Sequence, residues 1–214
     1  MKDYNVDINK LDKMAGLTFQ NTLRLHFDSI ILFYNKSYPS AFYLSVLALE
    51  ELGKYYNLDH FIFHSRVEGR MGENMDRKIL EGIFIHKYKQ MWFVSTNMFD
   101  LSKGFQDKVN QGKLEIEKQN SLYVGLPKFN RKIDLKGKII NPLSVSMHKA
   151  KKQITILNDC LLEQCLIVVK EVGCLDSYYA EDFINQKLID KIESGWIYNN
   201  RVTLKRIKQL KEII

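Results

Sequence analysis

The sequence is poor in residues that break or cross-link a chain. Among its 214 residues there are 3 prolines, 11 glycines and 3 cysteines. So few prolines and glycines exclude a collagen-like, low-complexity or disordered chain. Cys160, Cys165 and Cys174 contain no CxxC pair and lie in a stretch whose pattern is helical. This spacing argues against a disulfide framework and against a zinc cluster.

Long apolar runs are also missing. The longest charge-free stretch covers 13 residues, 37–49, whereas a membrane-spanning helix needs about 20. The first residues, Met1 to Asn5, do not contain the apolar core of a secretory signal. The sequence therefore predicts a soluble, cytoplasmic and reduced protein with no membrane partner, no cofactor and no metal.

What the sequence does contain is apolar residues at helical spacing. Hydrophobic residues make up 45% of the chain, and a chain of this length can bury a substantial core. Apolar residues recur every three to four positions, which is typical of amphipathic helices. This periodicity predicts one helical domain over residues 1–214, with helices at 9–34, 40–64, 77–99, 144–172, 177–193 and 203–213.

Residues 101–142 have a different character. Short β-like runs occur at 122–124, 133–135 and 139–140, and glycines that suit turns lie between them. We therefore expect a mainly α fold, an antiparallel helical bundle, with a small β-hairpin insertion at 101–142 between helices three and four.

Two charged groups interrupt the apolar pattern of the second and third helices. Glu50 and Glu51 lie four and three residues before Lys54, so the ammonium can reach both carboxylates. Gly53 beside them lowers helix stability but allows another backbone to approach closely. His86 and Lys89 share a face of the next predicted helix. An exposed ion pair and a structural histidine are the simpler interpretation of each group taken alone.

An antiparallel hairpin would bring the two groups to one height. With the turn centred near residue 70, Lys54 lies level with His86, and Glu51 lies level with Lys89. A histidine beside carboxylates and ammonium groups suits acid–base work on a phosphodiester, because the histidine moves the proton and the lysines stabilise phosphate charge. Glu50, Glu51, Lys54, His86 and Lys89 are therefore the predicted catalytic residues.

The string from Tyr38 to Lys54, YPSAFYLSVLALEELGK, resembles the signature of AbiV-type abortive infection proteins. The later His86-x-x-Lys89 is similar to that family's second motif, and the segment from Lys118 to Val124 is similar to its third feature, which ends at Pro142. The resemblance extends from about residue 21 to residue 172.

The resemblance implies a HEPN-like helical bundle, a homodimer and a role in bacterial defence against phage. Many HEPN proteins are metal-independent ribonucleases with an Arg-x4–6-His motif. This chain lacks an arginine at that spacing before a histidine, and Lys54-x5-His60 is only a distant imitation. Lysine cannot reproduce the forked donors of a guanidinium group, so ribonuclease activity does not follow from the motif.

The positive charge is concentrated in one region. Lysine and arginine outnumber aspartate and glutamate by 32 to 25. Between residues 128 and 152, eight basic residues face one acid, Asp134, and this excess equals the net charge of the whole chain. The region predicts contacts with RNA or the ribosome, or else a solvated surface. The predicted nucleic-acid contacts are Lys128, Arg131, Lys132, Lys136, Lys138, Lys149, Lys151 and Lys152.

Three functional interpretations follow. The first is an antiphage effector that suppresses growth or gene expression by metal-independent RNA cleavage or RNA binding, with a phage-encoded activator as a candidate partner. The second is a non-catalytic protein that binds RNA, the translation machinery or a phage protein and uses the charged cluster as a structural network. A membrane-surface effector is the weakest alternative, since no long apolar face or lipidation signal is present.

Overall fold

The computed structural model describes residues 4–5, 7–67, 74–75, 81–129, 132–170, 180, 182–198 and 201–212. Helices dominate these residues. They are α1 (Ile8–Tyr34), α2 (Tyr38–Val67), α3 (His86–Thr96), α4 (Lys103–Asn110), α5 (Lys113–Asn120), α6 (Met147–Val169), α7 (Gln186–Gly195) and α8 (Arg201–Glu212). A 3-10 turn, Pro142–Ser144, precedes α6.

Helices α1 and α2 form a long hairpin. The Asp7 side chain caps α1 by accepting a hydrogen bond of 3.0 Å from the Asn9 N–H. At the other end Lys36 takes the left-handed conformation, with φ of 63°, which stops the helix and turns the chain. Two short strands, β1 (Tyr4–Asn5) and β2 (Asn74–Met75), pair antiparallel across the open end of this hairpin.

Helix α2 is the central element of the bundle. It packs against α1, α3 and α6, and its buried residues include Leu49, Leu52 and Tyr55. Because α2 is covered on several sides, polar residues on it become buried unless neighbouring helices supply partners. No helix in the described part of the chain is long and apolar enough to cross a membrane.

The predicted helix boundaries are correct for α1, α2, α6 and α8 to within a few residues. The predicted continuous helix over 77–99 is wrong, because Ile83 and Phe84 form a turn and α3 begins only at His86. Residues 77–80 lie outside the described residues. Helix α7 occupies only the later part of the predicted 177–193, of which 177–179 and 181 are not described.

The predicted β-hairpin insertion is wrong. The first half of 101–142 forms α4 and α5, which the short apolar runs did not reveal. The predicted strand at 122–124 is irregular. The remaining pairing joins β3 (Lys128–Phe129) to β4 (Lys132–Ile133), with one isolated bridge between Gly125 and Ile140. Two-residue segments fall below the usual strand length of three to ten residues, so the residues that the structure describes form a helical bundle without a hairpin subdomain.

Candidate functional site

A buried carboxylate on α2 is the centre of a polar cluster. Glu50 has an exposed fraction of 0%. Its Oε2 lies 2.6 Å from Nδ1 of His86, and its Oε1 accepts hydrogen bonds from Gln90 at 2.7 Å and Lys118 at 2.8 Å. A buried charge is tolerated only with such partners. The set of residues around it is called the Glu50 cluster, and its members are Glu50, His86, Lys89, Gln90, Glu115 and Lys118.

Close contact between α2 and α3 brings this cluster together. A Cβ atom on Gly53 would lie 1.9 Å from the backbone oxygen of Lys89 and 3.0 Å from the backbone nitrogen of Phe93. No side chain fits at that distance, so glycine is required for the two helices to approach. This confirms the expectation that Gly53 allows close approach of another backbone.

Glu51 joins the cluster at its edge. Its Oε1 lies 3.6 Å from Nζ of Lys89, and its Oε2 accepts a hydrogen bond of 3.2 Å from Asn21 on α1. Lys89 Nζ also lies 4.0 Å from Oε2 of Glu50. Lys89 thus links both carboxylates, as the predicted level pairing of Glu51 with Lys89 requires.

Lys54 lies apart from the predicted carboxylates. Its ammonium is 5.9 Å from the centroid of the Phe84 ring, and no described carboxylate lies within ion-pair distance of it. The carboxylate of Glu50 is occupied by donors from α3 and α5, so the intrahelical pair does not form. Lys54 is therefore a half-buried cation beside the cluster and not a member of it.

Three members of the Glu50 cluster were not predicted. Gln90 donates to Glu50 and also to Glu115 Oε2 at 3.1 Å, and Lys118 lies 2.8 Å from the same Glu115 oxygen. Lys118 is 68 residues from Glu50 in sequence. One indication of Lys118 was present in the sequence, because it is the first residue of the segment 118–124 that resembles the family's third feature. No comparable indication of Gln90 or Glu115 was present.

Lys118 also controls the charge state of Glu115. Burial alone would raise the pKa of this carboxyl group, but hydrogen bonds from Lys118 and Gln119, with the nearby charges of Lys118 and His86, outweigh burial and lower the pKa below its usual value. Glu115 is thus held as a carboxylate that helps neutralise the buried ammonium.

His86 is the accessible member of the Glu50 cluster. Its side chain is 52% exposed, while its Nδ1 is bonded to buried Glu50. The carboxylate fixes the ring orientation and favours a hydrogen on Nδ1. No described residue bonds Nε2, so this nitrogen can accept a proton from a molecule at the surface.

Glu50, His86 and Glu115 could together hold a metal ion, since one ligand atom from each lies within 4.8 Å of the others. However, the Lys118 ammonium lies 2.8 Å from both carboxylates. It occupies the position that a cation would take between them. The donor set therefore suits a metal only if Lys118 moves away.

The predicted nucleic-acid residues that the structure describes have different surroundings. Lys151 packs on the Tyr198 ring, with Nζ 3.4 Å from the centroid, while Lys149 Nζ lies 3.3 Å from Glu117. Lys136, Lys138 and Lys152 are exposed. Lys128 and Lys132 are described only in their backbone, and Arg131 lies outside the described residues.

A second charged group joins α6 to α8. Arg206 Nε lies 2.6 Å from Glu163 and its Nη1 lies 3.0 Å from Asp100. Burial and the neighbouring charge of Asp100 raise the pKa of Glu163 to about 7, although Arg206 opposes the shift. Cys160 and Cys165 are buried free thiols nearby, and Cys174 lies outside the described residues.

The fold and the Glu50 cluster define the class of protein, a helical bundle whose central helices enclose a Glu–His–Lys site. The model of the HEPN_AbiV family, described as AbiV, matches residues 10–163. This match covers most of the chain and all of the Glu50 cluster, so the chain belongs to the AbiV family of HEPN proteins. It is thereby related to abortive infection, and the resemblance found in its sequence is confirmed. No curated protein and no solved structure matches the chain significantly.

Proposed function

We propose that this protein is an antiphage abortive-infection effector that acts on RNA, with His86 as its acid–base group. The observation that carries the proposal is the pairing of an exposed imidazole with a buried carboxylate at 2.6 Å. This arrangement orients a histidine for proton transfer. Membership of a HEPN family supports RNA as the substrate.

In the proposed reaction, Nε2 of His86 takes the proton from a ribose 2′-hydroxyl. The resulting oxygen attacks the adjacent phosphorus, and the bond to the 5′-oxygen breaks. The proton returns to that leaving oxygen, which gives a 2′,3′-cyclic phosphate and a 5′-hydroxyl. Because Lys54 is not paired with a described carboxylate, its ammonium is available to stabilise charge on the phosphate.

Lys89 and Lys118 have a different role in this proposal. Both are buried, so they hold the carboxylates and position the His86 ring through Glu50. A homodimer, which the family resemblance implies, and a phage-encoded activator are further elements of the proposal.

The burial of Glu50 and Lys118 also supports a second candidate function. In it the protein binds RNA, the translation machinery or a phage protein without cleaving anything, and the Glu50 cluster only fixes the packing of α2, α3 and α5. Paired buried charges of this kind are found as structural networks.

Expression of matched variants in bacteria separates the two functions. His86→Ala removes the exposed ring, whereas His60→Ala removes an exposed histidine on α2 outside the cluster. If the protein is the proposed enzyme, His86→Ala abolishes growth arrest and His60→Ala retains it. Both variants must reach the same soluble level and the same melting temperature as the parent. Full growth arrest by folded His86→Ala would refute a catalytic His86 and favour the binding function.

A further inference from the structure

The chain between α5 and α6 exposes several large apolar side chains. Residues 122–143 are called the apolar loop. Four of its side chains are between 72% and 82% exposed, and they are Val124, Leu135, Ile139 and Leu143. Exposed apolar residues that are gathered in one segment mark a surface that contacts another molecule, whereas single ones need no explanation. The apolar loop is therefore a candidate docking surface.

Backbone hydrogen bonds hold separate parts of the apolar loop together. Gly125 and Ile140 exchange two hydrogen bonds, of 3.3 Å and 2.8 Å, and the Asp134 N–H donates to the Pro127 carbonyl oxygen at 2.8 Å. These pairings create an open apolar depression of about 500 Å³ next to Gly125. The side chains around it are Leu126, Ile133 and Ile139. This surface does not lie on one helix, so helical periodicity could not reveal it.

The charge of the apolar loop is positive. Residues 128–138 include five basic residues and one acid, Asp134. Its Oδ1 accepts a hydrogen bond of 3.0 Å from the Lys136 N–H, which ties the carboxylate to its own turn. Lys136 follows the exposed Leu135 directly, and both Lys136 and Lys138 are exposed. The occupant that this surface fits must combine negative charge with apolar material.

This combination decides between the candidate occupants. RNA has phosphates, but it offers little hydrocarbon to cover aliphatic side chains. A second copy in a two-fold contact would bring the same lysines towards each other. Leu135 and Leu143, the two most exposed, lie outside the lining of the depression, so they are placed for insertion and not for enclosing a peptide. An anionic bilayer supplies both headgroup charge and hydrocarbon.

We propose that the apolar loop docks the protein on the surface of an anionic lipid bilayer. Leu135 and Ile139 enter the boundary between headgroups and acyl chains, and Lys136 and Lys138 contact the headgroups. Such docking needs no membrane-spanning helix. The sequence predicted no membrane partner because it showed no long apolar helix face, and the surface found here belongs to a loop. The inference does not depend on cleavage at His86.

Flotation of the purified full chain with lipid vesicles tests the proposal. Vesicles of phosphatidylglycerol and phosphatidylcholine in equal parts are compared with vesicles of phosphatidylcholine alone, in about 0.15 M salt. The protein is expected to float with the anionic vesicles and to remain at the bottom of the gradient with the neutral ones. The proposal is overturned if the protein does not float with the anionic vesicles, or if it floats equally with both.

A charge variant tests the role of the lysines. Replacing Lys136 and Lys138 together by alanine is expected to weaken partitioning about fivefold for each lysine, which is the effect of about 1 kcal/mol per basic residue at an anionic surface. Lys187→Ala on α7 removes an exposed charge elsewhere and should leave flotation unchanged. Equal flotation of the parent and the double lysine variant would overturn the proposal.

An apolar variant tests insertion. Leu135→Ser combined with Ile139→Ser is expected to weaken partitioning at least about tenfold, because it removes the apolar area that the bilayer would cover. Leu17→Ser is the matched control, since Leu17 is an exposed leucine on α1 outside the apolar loop. All of these side chains are exposed, and melting temperatures equal to that of the parent show that the variants are folded.

The other occupants correspond to results that overturn the proposal. If polyglutamate or RNA removes the parent from the vesicles while the apolar variant floats like the parent, the loop is a general anion-binding surface. If the apolar variant changes a dimer into a monomer in sedimentation experiments without changing flotation, the loop is a contact between copies. Failure of RNA cleavage by the parent leaves flotation unaffected, so this proposal and the proposed function can fail separately.

Discussion

Replacing Gly53 by alanine tests the contact that builds the Glu50 cluster. The added Cβ would lie 1.9 Å from the Lys89 carbonyl oxygen, so α2 and α3 must separate by about 1.5 Å to restore ordinary van der Waals contact. Overpacking of this kind costs about 1–3 kcal/mol, and the obstacle is backbone that cannot rotate away. The higher helix propensity of alanine offsets about 1 kcal/mol of this cost. Since the obstacle is backbone, the upper end of that range applies, and the expected net loss in the free energy of unfolding is about 2 kcal/mol.

Thermal denaturation gives the assay. For a chain of this size, about 2 kcal/mol corresponds to a melting temperature about 4–8 °C lower. Gly104→Ala is the matched control, because nothing lies within 4 Å of its added Cβ and helix α4 should gain a few tenths of a kcal/mol. A Gly53→Ala protein as stable as the parent would refute the close approach of the two helices.

Two further perturbations probe the buried charges. Glu50→Ala leaves Lys118 with only Glu115 and is expected to cost about 3–5 kcal/mol, whereas Glu115→Ala should cost less; equal losses in urea denaturation would contradict the central place of Glu50. Glu163→Gln is expected to stabilise the protein above pH 7 and to lose this advantage as the pH falls to 4.5. The sign follows because the raised pKa of about 7 makes the folded state bind more protons than the unfolded state between those values, so the stability of the parent decreases as the pH rises through that window. A stability difference between parent and Glu163→Gln that is constant from pH 5 to pH 8 would contradict the shift.

The part of the fold that the sequence predicts well is the part governed by local periodicity. Helices α1 and α2 carry regular apolar residues, and the structure places both within a few residues of the predicted positions. The prediction of a β-hairpin at 101–142 failed because short apolar runs are equally compatible with strands, turns and short amphipathic helices. Helices α4 and α5 have eight residues each, too few for periodicity to decide.

Of the candidate site, only the contacts between the consecutive helices α2 and α3 could be predicted from the sequence. The antiparallel register brought Glu51 to Lys89 as expected, and it brought His86 to the cluster. The register placed His86 level with Lys54, whereas the structure pairs His86 with Glu50. Height along the helix axis does not decide which way a side chain points around the helix, because that direction depends on packing. Lys118 comes from a helix that was not foreseen, so no spacing argument could have placed it beside Glu50.

Whether His86 is catalytic is decided by comparing the cleavage of labelled total RNA by purified parent and His86→Ala protein. Both would be incubated with EDTA, with and without lysate from phage-infected cells, and their folding compared by melting temperature. If His86 is the acid–base group, only the parent cleaves, EDTA does not prevent cleavage, and the products carry 2′,3′-cyclic phosphates. Cleavage by folded His86→Ala at the parental rate, or no cleavage by either protein in any condition, would contradict a catalytic role for His86.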